Sequence, residues 1–263
     1  MLKATSAAVF LIAAGATLQP GASDAAPPSD TLALEYQATL LGLPLAAVSA
    51  TVDPGALYRL TGTMETRGVV GLFSPWYHQA SSVGHLSEDG RGIAGVRHRG
   101  DGVHRGETRF MQLVFDPETT TIEAADPDPD TGSKSRRVPP SLRTGTLDPL
   151  SAFYALALRL EGGQGCGGPV KIFDGRHRYD LILAEGPDAL SCRFAYRPLA
   201  GFKRKSAPTV DASDETPGLI RYARVAEGFP PIPERLEVPS RFGSVVVALT
   251  GWNVETRTAA ASQ

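Results

Sequence analysis

The chain has 263 residues, 42% of them hydrophobic and 21% charged, with two cysteines and a formal net charge of −2. That composition supports a substantial core, and the near-zero balance gives no basic face of the kind that nucleic-acid binding needs. The short basic clusters His98-Arg99 and Lys203-Arg204-Lys205 read as solvated surface.

Residues 1–26 have the layout of a secretory signal. Lys3 supplies the positive start, Ala7 to Ala14 the apolar run, and Ser23-Asp24-Ala25 the small residues that predict cleavage near Ala25 or Ala26. The apolar run is well short of the roughly 20 residues that span a bilayer, so it reads as an export signal and not an anchor. The mature chain is therefore expected in the periplasm, as one domain over residues 27–263 with no transmembrane segment. In an oxidising compartment its two cysteines, Cys166 and Cys192, read as one disulfide, whose cross-link contributes about 3.5 kcal/mol in the chain-entropy model.

From residue 32 onward the dominant period is two. Leu32, Leu34, Tyr36, Ala38 and Leu40 alternate with mixed residues until Gly42-Leu43-Pro44, and Ala46, Val48, Ala50 and Val52 alternate up to the turn at Asp53-Pro54-Gly55. Tyr58, Leu60, Gly62 and Met64 continue the pattern, so the first three segments predict a meander of antiparallel strands with one buried face each. Between Arg67 and Trp76 the rhythm breaks. Val69, Val70, Leu72, Phe73 and Trp76 fit a short helix or a bulged corner ended by Pro75. Strands are predicted again near 77–87, 91–99, 108–115 and 119–124.

Residues 126–146 predict a loop, because Asp126-Pro127-Asp128-Pro129-Asp130 and Pro139-Pro140 cannot continue a ladder. The acidic run is not an EF-hand, since prolines interrupt it and no Glu stands at the twelfth position. The one long helix follows over 149–161. Asp148 is its cap, Pro149 its first residue, Leu150, Phe153, Tyr154, Leu156, Ala157, Leu158 and Leu160 its wide apolar face, and Gly162-Gly163 its stop. Strands return at 170–173, 179–184 and 192–197. After a polar loop at 203–218 the last three fall at 219–225, 234–238 and 244–250. Many strands and one helix, without βαβ alternation, predict a mainly β (α+β) fold. The expected build is a highly curved antiparallel sheet, open barrel or β-spiral, holding helix 149–161.

Several segments resemble the bacterial domain-of-unknown-function 3108 family. They are Thr146-Leu147-Asp148-Pro149-Leu150-Ser151, Phe173-Asp174-Gly175-Arg176, Tyr179-Asp180-Leu181 and the two cysteines. Gly71-Leu72-Phe73-Ser74-Pro75-Trp76, the run Tyr196 to Phe202, and Pro239-Ser240-Arg241-Phe242-Gly243 extend the likeness over nearly the whole mature chain. The resemblance implies an exported envelope protein, similar in build to lipoprotein carriers and periplasmic β-spiral proteins. It implies no catalytic residue.

Catalytic and metal patterns are weak. His78, His85, His98, His104 and His177 have no HExxH or close Cys/His spacing, so no metal is expected, and no cofactor is implied. No G-x-S-x-G frames Ser81, Ser82 or Ser151, and Glu35, Asp174, Asp180 and Glu185 form an acid–base pair only if folding joins two of them. The expected role is non-enzymatic: binding a lipid, acyl chain or lipoprotein segment on the concave face and supporting envelope integrity. Tyr36, Met64, Leu72, Phe73, Trp76, Phe110, Phe153 and Tyr154 are the expected lining. Two other readings stay open. One is a structural envelope protein that engages a protein or peptidoglycan partner through its surface. The other is an envelope hydrolase, which requires titratable groups converging in one cleft.

Overall fold

The computed structural model describes residues 30–87, 92–104, 106–115, 120–129, 137–202, 218–240 and 242–256. The expected signal segment 1–26, the cluster Lys203-Arg204-Lys205 and most of the expected loop 203–218 lie outside these residues.

Two meanders build the sheet. The first runs β1 (Thr31–Leu40), β2 (Leu43–Asp53), β3 (Leu57–Thr66), β4 (Trp76–Leu86), β5 (Ile93–His104), β6 (Glu107–Phe115) and β7 (Thr120–Asp126). The second runs β8 (Gly168–Phe173), β9 (Arg178–Glu185), β10 (Ser191–Ala200), β11 (Gly218–Ala223), β12 (Ile232–Ser240) and β13 (Gly243–Glu255). The first and last strands join them, with Thr31 opposite Glu255 and Leu40 opposite Val245. The result is one curved, unclosed antiparallel sheet of 13 strands in the order β7-β6-β5-β4-β3-β2-β1-β13-β12-β11-β10-β9-β8. Every neighbouring pair is adjacent in sequence except β1–β13, so most of the register is set between strands that follow one another along the chain.

Among the described residues three helices interrupt the strands: α1 (Gly68–Phe73) between β3 and β4, and α2 (Pro140–Arg143) and α3 (Pro149–Glu161) between the two meanders. The predicted loop 126–146 is corrected here, because β7 ends at Asp126 and α2 occupies part of the segment. Proline at its first position starts α2. It sits near the gap between the two edge strands, where Val138 and Phe173 pack with Met111, Leu113 and Phe115. The Arg143 guanidinium lies 5.4 Å from the Phe173 ring centre, and Arg178 Nε donates to the Leu142 carbonyl at 2.9 Å.

Helix α3 lies against the concave face. Asp148 caps it by accepting from the Ser151 N–H, and the Gly162 N–H closes the far end on the Leu158 carbonyl. Ahead of the helix, Leu147 pairs with the edge of β8, donating to Lys171 O and accepting from Phe173 N, each at 2.9 Å. One side of α3, Ala152, Leu156 and Leu160, packs on Ile172, Leu183, Phe194, Ile220 and Tyr222. Burying each such large apolar side chain stabilises the fold by roughly 1.5–3 kcal/mol. The Cys166–Cys192 disulfide lies within this cluster, with Cα atoms 5.6 Å apart, and ties the exit of α3 to β10. Among the described residues no helix is long and apolar enough to cross a membrane.

Candidate functional site

The other side of α3 faces a hollow. A cavity of about 630 Å³ lies between β1–β6 and the helix residues Pro149, Leu150, Phe153, Tyr154 and Ala157, with Pro230 and Pro231 of the β11–β12 connection and Ile232, Pro233 and Leu236 of β12 closing one flank. The cause is visible in the register, which stacks three inward-facing rows across the first meander.

The lowest row is Leu32, Val52, Leu60, Ser82, His98 and Leu113, cross-strand neighbours in turn and all buried. The middle row, two residues along each strand, is Leu34, Ala50, Gly62, Ala80, Gly100 and Met111. Four consecutive strands therefore contribute only Ala or Gly at one level. Leu150 covers Gly62, approaching to 3.4 Å of where its Cβ would lie, the His78 ring covers Gly100 at 3.2 Å, and space remains over Ala50 and Ala80. The upper row is Tyr36, Val48, Met64, His78, Gly102 and Arg109. Period-two alternation puts each row on the same face, and the missing side chains of the middle row leave the void.

Below the cavity the floor is sealed by polar contacts. Tyr58 packs against Tyr154 in a tilted pair with ring centres 5.1 Å apart, and its hydroxyl bonds Ser151 Oγ at 2.9 Å. Ser82 Oγ donates to Asp148 Oδ1 at 2.6 Å, so with its single proton committed it accepts from His98 Nδ1 at 2.9 Å. His98 Nδ1 is also 3.3 Å from Asp148 Oδ1. Burial pushes the Asp148 carboxyl up, but the hydrogen bond and charge of His98, with the Ser151 contacts, outweigh it and hold the group below the ordinary carboxylate range. Ser, His and Asp thus converge, yet the hydroxyl and the carboxylate meet the same ring nitrogen. A hydrolytic relay needs them on opposite nitrogens and needs an accessible hydroxyl, whereas Ser82 is fully buried. This is a capping network that fastens the start of α3 to β4 and β5.

The opposite end is open and polar. Arg109, Arg176 and His177 border it, the side chains of Arg109 and His177 being part exposed. Asp174 Oδ1 accepts the backbone N–H groups of Arg176 and His177 at 2.8 and 2.6 Å, and Oδ2 bonds His177 Nδ1 at 3.0 Å. Arg176 reaches from this β8–β9 turn to the Pro127 carbonyl at 2.8 Å, spanning the gap toward β7. Burial, followed by the charge of His98, lowers the His78 pKa, which keeps that ring neutral against the cavity.

Of the eight expected lining residues, Tyr36, Met64, Trp76, Phe153 and Tyr154 border the cavity. Phe110 also borders it, but its ring lies under the Arg99 guanidinium at 5.0 Å. The expectation for Leu72 and Phe73 is corrected. Helix α1 is a surface connector that holds them in solvent, 80% and 83% exposed. The residues that make the hollow, Ala50 and Ala80 above all, escape a search for large apolar groups, and only their shared level across strands marks them. The carboxylates do not pair with one another. Glu35 is exposed, Asp180 is held by Arg178 and Arg197, and Glu185 accepts the Cys166 N–H. Among the described residues no group of three His, Cys, Asp or Glu side chains converges as a metal set.

A family model described as a protein of unknown function, DUF3108, matches residues 35–250. Among solved structures the chain is similar to a crystal structure of a beta-barrel-like protein of the domain of unknown function DUF1849 from Brucella abortus. The two are 12% identical with a TM-score of 0.46, over 87% of this chain and 98% of that one. No curated protein matches.

Proposed function

This chain belongs to the DUF3108 family, and on that premise we propose, from its own geometry, that it is a periplasmic binding protein for a hydrophobic envelope ligand. The observation that carries the reading is the roughly 630 Å³ apolar hollow between α3 and the concave face of the first meander. That volume falls in the range of about 300–1,000 Å³ typical of small-molecule sites, and its walls are mostly aliphatic and aromatic. Interiors normally pack without such gaps, because an empty apolar void forfeits dispersion contacts along its whole lining.

The polar groups lie at the mouth, so the ligand is an amphiphile, a lipid or acyl chain with its tail over Ala50 and Ala80 and its head beside His78, Arg109 and Arg176. The disulfide favours an oxidising compartment. The role is non-enzymatic: the buried Ser82–His98–Asp148 group serves the helix cap, and the ligand is held, not transformed. Support for envelope integrity follows from carrying or sequestering such a molecule.

The test is solvent extraction and mass spectrometry of the mature protein purified from its periplasm, with titration of an apolar fluorescent probe that long-chain fatty acid displaces. One co-purifying amphiphile per chain and a displaceable probe are expected. A protein free of lipid that binds no probe contradicts the reading.

A further inference from the structure

Half of the large apolar side chains that the described residues leave exposed stand on three neighbouring connections. These are the β1–β2 turn with Leu41 and Leu43, helix α1 with Val69, Leu72 and Phe73, and the β12–β13 turn with Phe242. The three touch. A Cβ on Gly243 would fall 2.8 Å from Leu41 Cδ2, a Cβ on Gly68 would fall 3.0 Å from the Pro44 carbonyl oxygen, and Arg67 N donates to Leu45 O at 2.8 Å. All sit at the open end of the cavity, since Trp76, which follows α1 closely, borders the cavity.

Leu41 is the telling residue. Its φ is 52° and that of Gly42 is 79°, the two left-handed positions of a tight hairpin where Asn before Gly is favoured. Leucine there works against its backbone preference, and 76% of it remains exposed. Neither turn geometry nor burial accounts for the choice.

We propose that this rim is a membrane-docking edge that seats the cavity mouth on a lipid bilayer with net-neutral headgroups. The proposal rests on the cavity reading for its purpose, but docking is measured independently of it. Protruding turns with large apolar tips suit insertion between headgroups better than they suit a complementary groove. Continuity with the cavity lets an acyl chain pass from bilayer to protein without crossing water. Among the described residues the charges at this end are balanced: Arg67 faces Glu65, Arg109 faces Glu107 at 3.6 Å, and His177 faces Asp174. Arg176 lies in the combined field of Asp126, Asp128 and Asp174, with Arg109 opposing. These described residues supply no net pull toward an anionic surface, so apolar contact drives the association.

Co-sedimentation of the mature chain with phosphatidylcholine vesicles tests this. The wild type is expected to sediment, with little change on raising salt. Leu41→Asn, which suits the turn, should lower partitioning roughly fivefold, and the pair Leu72→Ser, Phe73→Ser roughly tenfold or more. Both variants should keep the wild-type melting temperature and cavity-probe affinity. The proposal is overturned if wild type stays in solution, if the variants sediment equally, or if only anionic vesicles bind and salt releases them. It is also overturned if the rim instead forms a dimer that Leu41→Asn dissolves. Vesicle binding without probe binding would sustain docking and remove the cavity reading, and the reverse result would do the opposite.

Discussion

The two sides of helix α3 meet the same sheet in opposite ways. Toward β8–β12, Ala152, Leu156 and Leu160 interlock with Ile172, Leu183, Phe194 and Ile220 around the disulfide. Toward β1–β6, Leu150, Phe153 and Ala157 face a level of the sheet where the strands supply Ala50, Gly62, Ala80 and Gly100. One half is filled and the other hollow, so the fold itself does not require the void. What differs is side-chain volume at one register level, and this separates a stability region from a binding region.

The largest expected effect is in the packed half. Leu156→Ala should cost about 2–5 kcal/mol by leaving a cavity in a close-packed cluster, while cavity-probe affinity stays unchanged. Urea unfolding monitored alongside the probe titration checks both parts. A loss of probe binding in a still-folded Leu156→Ala protein would show that the halves are coupled.

Next comes the network that joins the halves. Asp148→Ala removes the cap of α3 and leaves Ser82 and His98 without their shared acceptor, which should cost about 2–4 kcal/mol. The Asp148 pKa is depressed in the folded state, so the unfolded chain binds the extra proton first as pH falls. Its contribution is therefore full above the ordinary carboxylate value near 4 and is lost as pH drops through the lower folded value. Stability measured between pH 5 and 2 should fall less steeply in the Asp148→Asn protein than in wild type. Equal slopes would place the acid sensitivity elsewhere.

A smaller contrast comes from two glycines. A Cβ on Gly84 would overlap the Tyr58 phenol, so Gly84→Ala should cost roughly 1–3 kcal/mol by displacing the hydrogen bond to Ser151. Gly62→Ala places its methyl in ordinary contact with Leu150 and should be neutral or stabilising by up to about 1 kcal/mol. Thermal melts of the two variants read this difference directly, and a Gly62→Ala protein as damaged as Gly84→Ala would mean that the middle row is already full.

Period-two alternation and turn residues were enough to read the thirteen strands, and Asp148-Pro149 with Gly162-Gly163 to read the ends of α3. These signals are local. The pairing of β1 with β13 is not, because no turn connects the ends of the chain. Helix α2 is too short to show a period among prolines. Leu72 and Phe73 look like core by composition, yet a six-residue connector cannot turn them inward. The cavity was the least legible feature. It is defined by what is small at equivalent positions on β2 to β5, and equivalence exists only once the strands are in register.

The most direct test of the hollow is to fill it. In the paired variant Ala50→Leu, Ala80→Leu, an open cavity predicts loss of probe and fatty-acid binding by at least roughly tenfold, with urea stability equal to wild type or higher. Unchanged binding, or destabilisation of more than about 2 kcal/mol as expected for overpacking a solid core, would contradict it.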